Sequence, residues 1–280
     1  MTYGSAPAFA FPELTPAIKR LLIVNGIVFL ANAILGGELG VWFAVSWSGL
    51  WDGYGLGLLR LVTYQFTHAF ESIGHILFNM LALYFFGTMA ERSLGYLGTF
   101  KLYLLGGVVA AAVHLLLAAA LGQGAGSLIG ASGACFAFLV YAACMAPRAM
   151  VIFIIFPIPL GILAAGLVLI GLYSQYVELR MGASGGVSHS AHLGGAAFGF
   201  AAHRLGWFRD FRPYGHEKGL LGGLGNKLRS WRQQRQADSA HAQQQEVDRI
   251  LEKIQQHGMP SLSSGERRIL ERASSRAKKK

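Results

Sequence analysis

Charge is scarce in the first 206 residues of the chain. They contain 8 of the 24 Lys and Arg residues and 6 of the 14 Asp and Glu residues, while 53% of all residues are hydrophobic. This composition argues against an ordinary water-soluble domain and predicts an integral membrane domain. Residues 207–280 carry +8 of the net charge of +10, which predicts a soluble basic tail.

Cysteine is also scarce, because only Cys135 and Cys144 are present. Both fall in one apolar segment and lack the spacing of a metal or redox motif, so we interpret them as packing residues. The tail lacks a nucleic-acid-binding motif, so its charge favours anionic lipid headgroups as a partner over nucleic acid.

Long apolar runs predict six membrane-spanning helices of roughly 17–25 residues, the length that crosses about 30 Å of hydrocarbon. They cover residues 18–37, 74–91, 99–121, 131–147, 158–179 and 188–205. Basic residues cluster at one set of helix ends, whereas Arg60 and Arg180 lie at the other, so the positive-inside rule predicts that both termini are cytoplasmic. Pro157 and Pro159 would interrupt a continuous helix, so the fifth span is not extended towards residue 151.

The predicted organisation has four parts. Residues 1–17 form a cytoplasmic N-terminal segment, 18–206 the six-helix domain, 207–244 a basic flexible linker and 245–280 a small amphipathic helical tail. The fold class is therefore all-α, a polytopic membrane bundle with a helical tail. Apolar residues at helical spacing support two tail helices: Val247, Ile250, Leu251 and Ile254 in the first, and Leu262, Ile269 and Leu270 in the second. The alternative for the tail is a partly ordered, solvated segment.

Polar residues recur at one end of the second, fourth and sixth helices. With the termini inside, these helices enter from the outer face, and their first turns contain His75 and Asn79, Ser132, and His192. At 1.5 Å per residue all four lie within roughly 10 Å of the outer boundary, where a water-filled cavity is feasible. This shared depth makes the four residues candidates for a site.

Small residues predict that the fourth and sixth helices pack closely. Ala191, Gly195 and Gly199 recur every fourth residue, and Gly133 and Ala137 offer a matching face. Such packing would bring Ser132 and His192 within hydrogen-bonding reach, as a serine nucleophile and its base require. The small-residue face by itself indicates only helix packing.

No carboxylate falls at the depth of this site, so the pattern favours a Ser-His dyad over a triad. His75 and Asn79 are spaced i, i+4 and project from one helix face. They are either donors for a developing oxyanion or partners in an interhelical hydrogen bond.

Three motifs in this order resemble the rhomboid intramembrane serine proteases of bacteria: His75 to Asn79, Gly130-Ala131-Ser132-Gly133, and Ala191 to Gly195 with Gly199. The segment from Thr63 to Ala69 and Arg60 are also similar to that family, and the resemblance covers about residues 18–206. It implies a six-helix bundle in which Ser132 is the nucleophile and His192 the general base. It further implies that His75, Asn79 and the Ser132 backbone N–H hold the oxyanion.

The resemblance also implies supporting roles for Gly130, Gly133, Phe136, Gly195 and Gly199. Substrates would be single-pass membrane proteins cleaved in or near the membrane, and neither a metal nor an organic cofactor would be required. Phe136 and Leu59 stand where the family often has Tyr and Trp, respectively; Phe136 is expected to stack on His192.

Three further residues are weighed against these roles. Ser184 repeats the motif in Gly182-Ala183-Ser184-Gly185 but lacks a helix starting directly behind it, so we interpret it as a turn residue. His189 lies near the site and is interpreted as a loop-facing or hydrogen-bonding residue. His114 is expected to make an interhelical contact.

The leading hypothesis is a serine endopeptidase of a bacterial inner membrane, since the first twenty residues do not resemble a signal or transit peptide. The alternative is a non-catalytic rhomboid-like protein that binds membrane helices in quality control or trafficking. A transporter would be expected to show inverted repeats or several buried charges, and the sequence suggests neither.

Overall fold

The computed structural model describes residues 12–121, 126–153, 156–181, 187–209, 231, 235 and 245–277. The chain divides into two compact units, Met1–His216 and Glu217–Lys280. The described part is mainly helical, which confirms the all-α membrane fold class.

Six helical segments of the first unit correspond to the six predicted spans. The helices are α1 (Pro16–Ile34), α5 (Ile73–Ala82), α6 (Thr88–Ala120), α7 (Ser132–Met145), α8 (Leu160–Met181) and α9 (His189–Arg204), and the short helices α2 (Glu38–Phe43), α3 (Trp47–Leu50) and α4 (Arg60–Thr63) follow α1. Three described stretches suit a membrane span by length and composition: Pro16–Ile34, Ile73–Ala120 and Leu160–Met181.

The stretch Ile73–Ala120 contains the second and third predicted spans, with no separate loop between them. A π-helical turn, Leu83–Gly87, connects α5 to α6, and Gly95 breaks the helical path with φ 65° and ψ −178°. This φ lies in the left-handed region that favours glycine, and the helical path kinks at this residue. The kink falls within the gap that the sequence predicted between residues 91 and 99.

α7 is shorter than its predicted span of 131–147, and it lies in the middle of the bundle. It packs against α6 and α9, and Phe138, Tyr141 and Ala142 on it are fully buried. A helix surrounded by other helices need not present a full bilayer thickness of apolar surface to lipid. α8 is the opposite case, because much of its apolar surface is exposed.

The N-terminus of α1 is held by a buried carboxylate from α6. Glu91 accepts hydrogen bonds from the backbone N–H groups of Ala17 (2.9 Å) and Ile18 (3.1 Å), and also from the Thr15 hydroxyl. These N–H groups have no partner inside the helix, and a negative charge is favourable at a helix N-terminus. Glu91 thereby fixes α1 to α6.

The segment before α5 is fastened to α6 by buried polar groups. The Tyr64 hydroxyl donates to the Gly107 carbonyl (2.7 Å), Gln65 Nε2 donates to the Leu104 carbonyl (3.2 Å), and Tyr103 donates to the Gln65 carbonyl (3.0 Å). Buried polar groups are costly without such partners. The contacts therefore give the loop one defined position.

An antiparallel pair of strands, β1 (Met150–Phe153) and β2 (Phe156–Pro159), precedes α8. Pro157 and Pro159 predicted only an interruption of the helix, and the hairpin was not predicted. In a two-stranded sheet both strands are edges, where proline is tolerated. α8 begins at Leu160, immediately after β2.

From residue 245 onwards the second unit has the helices α10, over residues 245–257, and α11 (Ser264–Ala277). Ile250 and Leu262 are its buried apolar residues. Ser263 and Glu266 form a capping box at the start of α11: the Glu266 carboxylate accepts from the Ser263 N–H (2.8 Å), and the Ser263 hydroxyl accepts from the Glu266 N–H (3.3 Å). The hydrogen bond from the Ser263 N–H lowers the pKa of Glu266 to about 2, and the Lys253 ammonium, 3.0 Å from the carboxylate, acts in the same direction.

Candidate active site

Ser132 is the first residue of α7, and the turn before it is fixed by two residues of the preceding loop. Gly130 has φ +112°, and its N–H donates to the Tyr64 carbonyl (2.9 Å). The Ala131 N–H donates to His68 Nε2 (3.4 Å). A Cβ at Gly130 would also clash with the His75 ring, so only glycine fits this turn.

The first turn of α9 carries His192. Ser188 caps this helix by accepting from the Ala191 N–H (3.3 Å). A Cβ at Gly195 would collide with the Gly133 carbonyl, and one at Gly199 with the Ala137 carbonyl. The predicted close approach of α7 and α9 is therefore present, and it depends on these two glycines.

The approach brings the two candidate reactive groups together. The Ser132 Oγ lies 2.8 Å from the His192 Nε2, a normal hydrogen-bond distance. The Phe136 ring lies parallel to the imidazole, with centroids 4.5 Å apart and an interplanar angle of 13°. Phe136 thus makes the expected stacking contact, and the ring orientation of His192 is fixed from two directions.

His75 and Asn79 line the same cavity as Ser132 and His192, and its volume is about 1190 Å³. Asn79 Nδ2 donates to the His75 carbonyl of its own helix (3.0 Å), which leaves its second N–H free for another acceptor. The His75 ring packs edge-on against His68, with centroids 5.1 Å apart. All four predicted site residues therefore face one cavity.

Comparison with known proteins decides the family. The family model described as the rhomboid domain matches residues 56–208, which is more than half of the chain. The chain belongs to the rhomboid family. A second model, described as a family of unknown function (DUF6576), matches residues 234–276 of the tail.

Two rhomboid relatives illustrate the similarity. "RHOMBOID-like protein 12, mitochondrial" from Arabidopsis thaliana is 36% identical over 175 residues, covering 56% of this chain and 50% of that protein. "Rhomboid protein 1, mitochondrial" from Saccharomyces cerevisiae is 29% identical over 217 residues, covering 74% of this chain and 57% of that protein. The chain thus spans about half the length of these relatives.

These matches overturn the predicted location in a bacterial inner membrane, because both relatives are named as mitochondrial proteins. The assignment as a membrane protein stands. The prediction rested on the lack of a signal- or transit-like pattern in the first twenty residues, and the lack of such a pattern does not specify which membrane a protein occupies.

Two further histidines of this rhomboid, and Ser184, were weighed against the site residues. His114 makes the expected interhelical contact: its Nδ1 lies 2.8 Å from the Ser188 hydroxyl and 3.0 Å from the Ser190 hydroxyl of α9. The His189 ring lies 6.3 Å from that of His192. Ser184 falls outside the described residues.

His68 and Tyr64 were not predicted as site residues, although both lie in the Thr63 to Ala69 segment that resembles rhomboids. His68 is fully buried and supports the turn before Ser132, and Tyr64 holds the same turn through its carbonyl. The signal available in the sequence was the cluster of polar residues so close to an apolar helix.

Proposed function

We propose that this protein is an intramembrane serine endopeptidase that cleaves transmembrane segments of single-pass membrane proteins through a Ser132–His192 dyad. The 2.8 Å contact between Ser132 Oγ and His192 Nε2 carries the proposal. Membership of the rhomboid family supports it.

In the first step, His192 Nε2 accepts the hydroxyl proton while Ser132 Oγ attacks the scissile carbonyl carbon. Nε2 must therefore start as the unprotonated nitrogen, and Nδ1 carries the proton. Stacking on Phe136 keeps the ring aligned with Oγ through this transfer. The product is a tetrahedral intermediate with an imidazolium beside it.

The negative charge on the former carbonyl oxygen requires fixed donors. The Ser132 N–H at the start of α7, the free N–H of Asn79 and the His75 ring are the donors that we assign to it. His192 then gives its proton to the leaving amine, and the C–N bond breaks to leave an acyl-Ser132 ester. Water, deprotonated by His192, hydrolyses this ester and releases the new carboxylate.

The cavity favours an extended polypeptide as substrate. A helical substrate shields each carbonyl with its own hydrogen bond, so the segment must unwind before Ser132 can attack. The cavity wall combines apolar side chains with polar groups, including Ser127, Ser188 and Ser190. These hydroxyls can satisfy backbone groups that unwinding exposes.

Cleavage of a reconstituted single-pass substrate tests the proposal. Ser132→Ala should abolish cleavage, and His192→Ala should slow it by at least about 10² to 10⁴. Ser184→Ala, in the repeated motif, is the matched control and should cleave at the parental rate. Cleavage by Ser132→Ala as fast as by the parent protein would refute the dyad.

The alternative is a rhomboid that binds membrane helices without cutting them. Such a protein has no need of a serine and an imidazole in hydrogen-bond contact, and here both are retained. A fluorophosphonate probe distinguishes the two functions, because it forms a covalent bond only with an activated serine. Labelling of the parent and not of Ser132→Ala supports the peptidase.

The names of the relatives make a mitochondrial membrane the location to test first, by fractionation of cells that express the tagged full chain. We also propose that the basic tail binds anionic lipid headgroups. Its charge of +8 supports this. Binding to anionic vesicles that weakens steeply with salt is the expected result.

A further inference from the structure

One wall of the cavity is formed by two polar residues near the end of α8. Gln175 and Glu178 both line the cavity that contains Ser132 and His192. They are spaced i, i+3, so they project from the same side of the helix. Glu178 lies three residues before the helix ends at Met181, or about 4.5 Å along its axis.

The sequence predicted no carboxylate at the depth of the site, but Glu178 lines the cavity and is the only formally charged lining residue of the described chain. No lysine or arginine lines the cavity, and within the described residues Glu178 has no basic side chain within ion-pair distance. Arg180 is two residues away on the helix, a spacing that turns the two side chains to different sides. The Glu178 Oε2 accepts a hydrogen bond from Gln175 Nε2 at 3.5 Å.

The side-chain oxygen of Gln175 lacks a hydrogen-bond donor in the described part of the chain. Its Nε2 points towards Glu178, so its Oε1 points away, and that oxygen is buried without a hydrogen-bond partner in the described part of the chain. A buried acceptor without a donor is unfavourable. The cavity wall thus presents a carboxylate without a basic partner in the described chain, and beside it an amide whose buried oxygen lacks a donor.

We infer that Glu178, with Gln175 beside it, recognises a lysine or arginine side chain of the substrate close to its scissile bond. The inference rests on the proposed function and names a specificity for it. A Lys ammonium offers three N–H donors and an Arg guanidinium five, and neither contains an acceptor that would oppose the two oxygens. The long apolar stem of either side chain can lie along the apolar wall while its charged end reaches the end of α8.

Charge reversal in both partners tests the specificity. Transmembrane substrates carrying Lys, Gln or Glu at one position, scanned across the residues around the cut, are compared by kcat/KM in proteoliposomes. We expect the parent protein to prefer Lys over Glu by about five- to ten-fold at one or more positions. Glu178→Gln should bring the ratio close to one, and Glu178→Lys should invert it.

Glu38→Gln is the matched control, because it removes one exposed carboxylate from the first turn of α2, which does not line the cavity. It should retain the parental Lys preference. Equal rates for Lys and Glu substrates throughout the scan, or a preference that persists in Glu178→Gln, would overturn the inference.

Gln175→Met tests whether the Gln175 side chain contributes to binding of the cation. If Gln175 helps to bind the cation, this variant should weaken Lys substrates and leave Gln substrates unchanged. An equal loss for both substrates would show that its oxygen accepts a backbone N–H, and Gln175 would drop out of the cation site.

Binding of the same peptides to Ser132→Ala keeps this test independent of catalysis. A Lys-over-Glu preference in binding that Glu178→Gln removes would support the recognition site even if no peptide were cleaved. Cleavage that depends on Ser132, without any charge preference in either assay, would retain the proposed function and reject this inference.

Discussion

A methyl group at Gly195 tests the contact on which the proposed dyad depends. A Cβ there would collide with the carbonyl oxygen of Gly133, the residue next to Ser132. A backbone oxygen cannot rotate away as a side chain can, so α7 and α9 would have to separate by on the order of 1 Å, and a misplacement of that size costs roughly 10² in rate. Overpacking of this kind also lowers the free energy of unfolding by about 1–3 kcal/mol.

The assay measures two quantities on purified protein in nanodiscs: the rate of fluorophosphonate labelling at Ser132 and the midpoint of thermal unfolding. Gly195→Ala should lower both. Gly166→Ala is the control, because nothing lies within 4 Å of a Cβ at that helical position, and alanine favours the helix by about 1 kcal/mol. Parental labelling by Gly195→Ala would refute the argument that this glycine sets the distance between Ser132 and His192.

Three further predictions follow from single contacts. Phe136→Leu should slow labelling by about two- to ten-fold, because an aromatic stacking contact is worth about 0.5–1.5 kcal/mol, whereas Phe136→Tyr should label at close to the parental rate. Glu91→Gln should lower the free energy of unfolding by about 1.5–3 kcal/mol, because charge-assisted hydrogen bonds to the start of α1 are lost; an unchanged midpoint would contradict this. The Glu266 carboxyl carbon should titrate in NMR near pH 2, because the Ser263 N–H lowers the pKa of this carboxyl from 4.5. The contribution of the ionised Glu266 to stability is complete above about pH 4.5 and is lost as the pH falls towards 2. A titration midpoint at 4.5 would contradict the capping box.

The sequence predicted the helices and the central contact because both depend on local patterns. Apolar runs located the spans, and the glycines of α9 indicated which helix could approach Ser132. Residues far apart in the chain were not predictable in the same way. Glu91 caps α1 across 74 residues, and His68 supports the turn before Ser132 across 63 residues. Neither pairing leaves a periodic pattern.

The hairpin β1–β2 was missed for a related reason. Pro157 argues against a helix, but it does not by itself specify a strand, and the partner residue Ile152 belongs to a stretch that could join either structure. The location of the protein was mispredicted because it was judged from the lack of a targeting pattern in the first twenty residues, which does not specify the membrane. Local patterns therefore gave the architecture, whereas long-range polar contacts set the detail of the site.

The exposed apolar surface of α8 has a consequence for the effect of the bilayer on the site. Only 22% of its most apolar stretch is buried, and Leu169, Ile170 and Tyr173 face outward. Acyl chains are as apolar as leucine, so lipid can replace protein neighbours of this helix at little hydrophobic cost. Under the proposed function, we therefore expect acyl-chain length and order to act on the Glu178 side of the cavity, and on substrate entry there, more than on the contact between Ser132 and His192.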